Sequence, residues 1–431
     1  MSFPVDGKTW SSVNPPITGS TANPTDAVTA GADTLTPAAR NALWGSALGY
    51  AMDGFDLLIL GFMLRAISAD LGLDSAKAAF LVTATLVGAV IGGLLFGLLS
   101  DRFGRVRVLT WTILLFAVAT GLCAVAQSYW DLLVYRTLAG LGLGGEFGIG
   151  MSLAAEACPA TRRARASCYV GLGWQIGVLG AALATPLLLP VIGWRGMFLL
   201  GMFPAAVAYL IRRKVGEPEL FMTHMAREPR LGASLQLLVK DRETIQVGLG
   251  LAILCSVQNF GYYGVMIWLP SYLSTRFDYS LTQSATWTAV TVAGMIVGIL
   301  VFGHLADRLA RRPTFLIYML GAAAMVVVYS RLSDPVALLT AGALMGFFVN
   351  GMLGGYGALM SELYPTAARA TAQNVLFNFG RAVGGFGPVV VGTVALFYGF
   401  SSAIALLALL YLLDAVTLWM LIRERRGWRL V

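Results

Sequence analysis

Charge is scarce in this chain. Only 12% of its 431 residues are Asp, Glu, Lys or Arg, against roughly a quarter in soluble domains, which excludes an ordinary water-soluble globule. Histidine is almost missing. His224 falls in a charged central stretch and His304 at the end of an apolar run, so any buried proton relay must use carboxylates. The four cysteines (Cys123, Cys158, Cys168, Cys255) lie within apolar runs or at their ends, and no disulfide framework is expected from them. No G-x-x-x-x-G-K-[ST] loop offers a phosphate cradle, and no cluster has metal-ligand spacing. Neither a metal nor another cofactor is expected. The apolar runs are continuous, not alternating, which excludes a barrel of membrane strands. Residues 1–40 have no apolar core and are expected to form a disordered tail without a cleavable leader.

What is present is hydrophobic: 57% of the chain. Twelve apolar runs recur, near 43–69, 78–100, 107–127, 131–156, 168–190, 196–213, 245–270, 284–305, 313–330, 335–360, 371–393 and 400–422. Each is about as long as a bilayer crossing requires. The net charge of +8 is distributed by side. Gaps after even-numbered runs, with the tails, hold Arg102, Arg105, Arg107, Arg162, Arg163, Arg165, Arg212, Arg213, Arg308, Arg311, Arg312, Arg369 and Arg423. The other gaps and helix ends hold only Arg65, Lys77, Arg195, Arg276 and Arg331. This asymmetry predicts cytoplasmic termini and a cytoplasmic central loop in a multi-pass protein of the cell (inner) membrane. It makes the basic surplus a matter of topology, so no nucleic-acid partner is expected.

The chain also repeats itself. G-L-L-S-D-R-F-G-R starts at Gly97, and G-H-L-A-D-R-L-A-R starts at Gly303, an offset of 206. The same offset carries Glu156 to Glu362, Pro159 to Pro365, Arg163 to Arg369 and Gly145 to Gly351. The predicted fold is therefore an all-α membrane protein of twelve transmembrane helices in two six-helix bundles, 41–213 and 245–422. The cytoplasmic loop 214–244 joins them, and 423–431 forms a second tail. Six is even, so the copies are parallel repeats about an axis along the membrane normal.

The duplicated G-x-L-x-D-R-x-x-R loop resembles the signature loop of the major facilitator superfamily. Arg136-x-x-x-Gly140-x-Gly142-x-Gly144 resembles that superfamily's motif on its fourth helix. D-G-F-D at 53–56, G-G-E-F-G at 144–148, E-L-Y-P-T-A-A-R-A-T-A at 362–372 and N-F-G-R at 378–381 resemble the proton-coupled sialate and aromatic-acid symporters within it. The second loop departs from the pattern, with Ala310 where the first has Gly104.

Asp53 and Asp56 stand three apart in the first run and share a helix face. Carboxylates at that depth are costly, and two so close do not both ionise cheaply. One is expected to carry a proton; the plainer alternative is that one pairs with a basic residue. The resemblance ties this D-G-x-D motif to transport. Glu146, among five glycines in the fourth run, is a third candidate for proton coupling or the counter-ion of a buried arginine. It lies about 15 Å along the helix from Arg136, too far to pair directly.

Arg381 is the only basic residue inside the eleventh run, and its counterpart by offset is Gln175. A guanidinium fork binds a carboxylate through two parallel bonds, so Arg381 is the candidate for a substrate anion, with Asn374 and Asn378 on nearly its face and Gln175 counted among the substrate-binding residues. Its alternative role is a structural ion pair with Asp53, Asp56 or Glu146. Gln258, Asn259 and Tyr262 on the seventh run read as a neutral substrate wall or as polar glue between helices. Asp101, Arg105, Glu156 and Arg163 in one half match Asp307, Arg311, Glu362 and Arg369 in the other. These are expected to pair across helix ends as a cytoplasmic gate, beyond the topological role that basic residues alone fulfil.

The reading is a secondary transporter, not an enzyme: a functional monomer in the lipid bilayer that imports a small organic anion with protons by alternating access. Aromatic acids, sialate or short monocarboxylates are its candidate substrates. An efflux antiporter of the same fold is the first alternative, disfavoured because the fifth run lacks a G-P-x-x-G-G stretch. A non-transporting membrane sensor is the second.

Overall fold

Lipid offers a backbone no hydrogen-bond partner, so a chain of long apolar runs must satisfy its amides internally. The computed structural model describes residues 36–212, 216–217, 221–222, 233–277 and 281–424. The expected N-terminal tail as far as 35, most of the central loop with His224, and residues 425–431 lie outside them. Among the described residues there are helices and turns and no strand. The helices are α1 (Pro37–Leu71), α2 (Ser75–Phe103), α3 (Arg105–Cys123), α4 (Tyr129–Ala157), α5 (Arg163–Arg212), α6 (Ala233–Leu238), α7 (Arg242–Phe277), α8 (Leu281–Leu309), α9 (Arg311–Arg331), α10 (Pro335–Gly351), α11 (Gly355–Leu363), α12 (Arg369–Gly384) and α13 (Gly387–Leu421). Among the described residues, ten helical stretches are long and apolar enough to cross a membrane.

The sequence repeat is also a backbone repeat. Helices α2 and α8 end at Phe103 and Leu309, and α3 and α9 begin at Arg105 and Arg311. Short 3₁₀ turns at Ala160–Arg162 and Thr366–Ala368 precede α5 and α12. The 50-residue α5 is broken at Gly193 (φ 65°) and α13 at Gly399 (φ 79°). Each of these pairs is one offset of 206 apart. Ala310 keeps the backbone of its counterpart: φ is 114° at Gly104 and 103° at Ala310, so the departure from the motif did not change the turn.

Small residues set the packing. A Cβ on Gly140 or Gly144 would meet the carbonyl oxygens of Thr85 and Ala89 at 2.1 and 2.0 Å, so α4 lies directly on the α2 backbone. Gly346 meets Thr291 O in the same way at 2.2 Å, joining α10 to α8. Without a hydrophobic drive in lipid, such close approach is what holds helices together. The surface is apolar, with Leu187, Val191, Leu396, Phe397 and Trp419 exposed, while Arg105, Arg136, Arg311 and Arg369 are among the largest fully buried side chains. An apolar exterior around buried charge marks a multi-pass membrane protein.

Candidate functional site

The four guanidiniums that are fully buried need partners, and three find them where the duplicated loops lie. Asp101 accepts from Arg105 Nη1 and from Thr371 Oγ1. It also accepts from the backbone N–H groups of Ala370 (3.3 Å) and Thr371 (2.9 Å) at the start of α12. Arg105 further donates to Glu156 (3.3 Å) and Thr366 O (2.7 Å), and Arg369 donates to Glu156 at 2.6 Å. The second copy mirrors this. Asp307 accepts from the N–H groups of Ala164 and Arg165, both at 3.1 Å, at the start of α5. Arg311 bridges Asp307 (3.0 Å) and Glu362 (2.8 Å), and Arg163 reaches Glu362 at 3.0 Å. Each aspartate of one half thus sits on a helix N-terminus of the other, where backbone dipoles favour an anion. Sequence reading paired the charges but not these amides, because the start of α12, with Ala368 at its cap, carries no side-chain signature.

It also passed over Glu217. This carboxylate accepts from the N–H groups of Arg105 (2.7 Å), Val106 (3.0 Å) and Arg107 (3.0 Å), capping α3. Glu424 accepts from Arg312 N at 2.8 Å at the start of α9. Nearby, burial pushes the Cys158 thiol up to about 11, so it stays protonated and unreactive.

The fourth arginine meets helix 1. Arg136 Nη1 and Nη2 donate to the two oxygens of Asp56 at 3.0 and 2.6 Å, a bidentate fork. Thr120 adds a bond to Asp56 at 3.3 Å. Glu146 accepts from Thr112 Oγ1 at 2.9 Å. The three carboxylates grouped in the sequence therefore have three separate environments, and Asp53 is the one that shares a cavity with Arg381.

Arg381 stands between two cavities. One is lined by Tyr50, Trp174, Gln258, Asn259, Tyr262, Tyr263, Asn350, Leu353, Phe377 and Arg381. The other holds Asp53, Leu57, Thr85, Leu86, Ala89 and Leu143, and shares Trp174 and Arg381 with the first. The guanidinium lies 5.3 Å from the ring centres of both Trp174 and Phe377. The Tyr50 hydroxyl is within its hydrogen-bonding reach. Gly380 makes this placement possible, because a Cβ there would stand 2.5 Å from the Cys255 backbone. Gly54 does the same for α1, its Cβ position lying 2.5 Å from Trp174 O.

Three expected contacts lie elsewhere. Asn374 Oδ1 accepts from Gly148 N at 2.7 Å, and Asn378 Nδ2 donates to Gly144 O at 2.9 Å, so both bind α12 to α4 below the cavity. Gln175 is buried beside Tyr262 and does not line either cavity. Gln258, Asn259 and Tyr262 do line the first, with Gln258 donating to Asn350 at 2.6 Å and Trp174 donating to Tyr262 at 3.3 Å. The floor toward the charged end is a stacked pair, Phe147 on Phe377, with ring centres 3.5 Å apart.

Residues 46–295, and again 251–430, match the Major Facilitator Superfamily. The chain belongs to that superfamily. A protein of Haemophilus influenzae named "Putative metabolite transport protein" is 66% identical over 90% of this chain and 96% of its own length. The cis,cis-muconate transport protein of Acinetobacter baylyi is 31% identical over 81% of this chain and 86% of its own. Among solved structures, the proton:xylose symporter XylE bound to 6-bromo-6-deoxy-D-glucose has the same fold, with a TM-score of 0.77 at 17% identity over 92% of this chain and 98% of that one. The chain is a transporter of this superfamily, not an enzyme, and its relatives include organic-acid transporters.

Several residues that shape this transporter's interior escaped the sequence reading. Tyr50 precedes Asp53 by three and Phe377 precedes Arg381 by four, so helical spacing alone places each beside its neighbour. Asp414, in the last apolar run, is fully buried, and neither of its oxygens has a hydrogen-bond partner. A lone acid inside an apolar run was its signal.

Proposed function

We propose that this chain imports a small organic acid anion together with protons, by alternating access, across the inner membrane. The observation that carries the reading is Arg381 set between a polar, aromatic-walled cavity and a second cavity holding Asp53. A guanidinium has one fork and two claimants: the Asp53 carboxylate and the carboxylate of a substrate. Ionised, Asp53 holds the fork. Protonated, it no longer competes, and Arg381 turns its donors to the substrate. A protonated Asp53 and an Arg381 neutralised by its anion leave little net charge in the site, which suits passage through a low-dielectric interior. Loss of the proton on the far side returns Arg381 to Asp53 and expels the anion.

The alternating step fits two six-helix bundles and twelve crossings. Ten apolar stretches become twelve if α5 and α13 each turn at Gly193 and Gly399, because a 50-residue helix spans about 75 Å, against roughly 30 Å of hydrocarbon. The basic end then faces the cytoplasm, and on this reading its two mirrored charge clusters are the gate that closes that side. Relatives that carry muconate support an unsaturated carboxylate as substrate. The wall of Tyr50, Trp174 and Phe377 offers flat faces to one. The transporter is read as acting alone, as a monomer.

The test is uptake of a panel of radiolabelled carboxylates into proteoliposomes, with and without an inward proton gradient. Asp53→Asn is expected to lose gradient-driven accumulation yet keep substrate exchange. Accumulation by Asp53→Asn equal to the parent's would remove Asp53 from coupling and leave Asp56 and Glu146 as the candidates.

A further inference from the structure

Neither the charge clusters nor the Arg381 site uses Asp414. This residue of α13 is fully buried, and both its carboxylate oxygens lack a partner. Among the described residues it acts on Tyr411 on its own helix, Tyr356 on α11 and Cys255 on α7, and none of these three is a cation. Arg312, the basic residue α9 turns to α13, is engaged lower down, with the Trp419 carbonyl. An ionised carboxylate in such a place would have neither water nor a counter-charge, and a buried acid so placed holds its proton instead. An alkali cation needs about six oxygens around it. Tyr356 already gives its hydroxyl proton to Leu254 O at 3.1 Å, and the rest of the setting is one phenol and one thiol.

Two further features make this site responsive. One polar group lies between it and the charged end. Cys255 acts on Tyr364, whose buried hydroxyl has no partner and stands 3.1 Å from a Cβ position on Gly248, two turns before Cys255 on α7. Asp414 itself lies seven residues, about 10 Å, from the end of α13. The second feature is the break between α10 and α11 at Met352–Gly354. Ser167, from the other half of the chain, is inserted there: its hydroxyl donates to Gly354 O and accepts from Ala358 N at 3.0 Å. These two groups close the first turn of α11, whose first helical residue is Gly355. Ser167 thus binds the turn that carries Tyr356, and it must withdraw when the halves part.

We propose that Asp414 is a second proton-binding site, separate from Arg381 and Asp53, loaded in the conformation described and emptied toward the charged end when Ser167 leaves the α10–α11 break. The inference rests on alternating access, but its test reads proton occupancy and not transport, so the two fail separately. The measurement is the carboxylic-acid C=O stretch in infrared spectra of the purified full chain, titrated with pH in choline chloride and in sodium chloride. The parent is expected to show a band at neutral pH that Asp414→Asn removes. Asp414→Glu should keep it at a displaced frequency, which preserves the test if Asp414→Asn does not fold. Ser167→Trp cannot re-form the closed contact, since the Gly357 Cβ position already lies 2.5 Å from Ser167 Oγ. Asp101→Asn with Asp307→Asn supplies a second opened background. In either background the band should vanish at a pH lower by at least about one unit. A parent spectrum that loses nothing on Asp414→Asn, or an unchanged midpoint in both opened backgrounds, overturns the proposal. So does a band abolished by sodium and restored by choline, which would make the site a cation site.

Discussion

Arg381 brings five donors to a cavity walled by neutral polar and aromatic side chains, and on the function proposed above that fork is what selects an anion. Its planar fork grips a carboxylate through two bonds, whereas a lysine ammonium offers a point charge. Arg381→Lys is therefore expected to weaken substrate binding by at least about 1.5 kcal/mol, the lower end for a charged hydrogen bond, and Arg381→Gln by more. Equilibrium binding on purified, folded variants is the measurement, and parent-like affinity in Arg381→Gln would move the anion site. The neighbouring acid behaves differently. Asp56 and Arg136 are both fully enclosed and bonded through two contacts. Removing one charge strands the other, so Asp56→Asn should cost about 3–5 kcal/mol of stability. Asp53→Asn, beside a cavity, should cost clearly less. Thermal unfolding in detergent checks the difference, and equal losses would erase the distinction between a structural and a working carboxylate. Sequence showed two acids on one face but not that Asp56 had a guanidinium of its own. Asp56 and Arg136 are 80 residues apart, and no local periodicity reports a contact of that range.

At the scale of helices, the duplication was legible in motifs and proved to be written into the backbone, down to the breaks at Gly193 and Gly399. Helix existence followed from hydropathy, because lipid leaves an apolar run no other way to satisfy its amides. Helix facing was harder to read. Asn374 and Asn378 share a face with Arg381 in projection, yet the close approach of α4 at Gly148 claims their side chains. Glycine spacing hinted at a contact without naming the partner. The turn before α9 supplies an element-scale prediction. Ala310 holds φ 103° and ψ 167°, a region nearly reserved for glycine that costs an L residue about 1–3 kcal/mol. Ala310→Gly should therefore raise stability, by about 1 kcal/mol after the added freedom of the unfolded glycine is deducted. Gly104→Ala should lower it, the more so because its Cβ would stand 2.3 Å from Glu217 Oε1. Unfolding midpoints of the two variants that moved in the same direction would contradict this account.

For the whole molecule, the proposed gate raises the question of how two charge clusters would share the work of closing one end. Each aspartate reaches across to a helix start of the opposite half, Asp101 to α12 and Asp307 to α5. The arrangement is two-fold, so neither cluster has a geometric reason to dominate. Replacing one aspartate by asparagine removes a charged acceptor, a loss of about 1.5–3 kcal/mol per bond to a charged group. A bias of 1.4 kcal/mol is already tenfold in an equilibrium between closed and open forms. Asp101→Asn and Asp307→Asn should therefore open the basic end to similar extents, and the double variant should open it further. The native cysteines are all buried, which leaves a quiet background for labelling. Ser152 is a suitable reporter position. It lies one turn from Glu156, accepts from Gln373 across the halves at 3.2 Å, and is fully buried while the end is closed. The thiol placed by Ser152→Cys should react slowly with a membrane-impermeant maleimide in inverted vesicles of the parent background. It should react roughly tenfold faster with either aspartate replaced. A rate raised by one replacement and untouched by the other would show that a single cluster holds the gate, and rates unchanged by both would leave these matched charges a topological role alone.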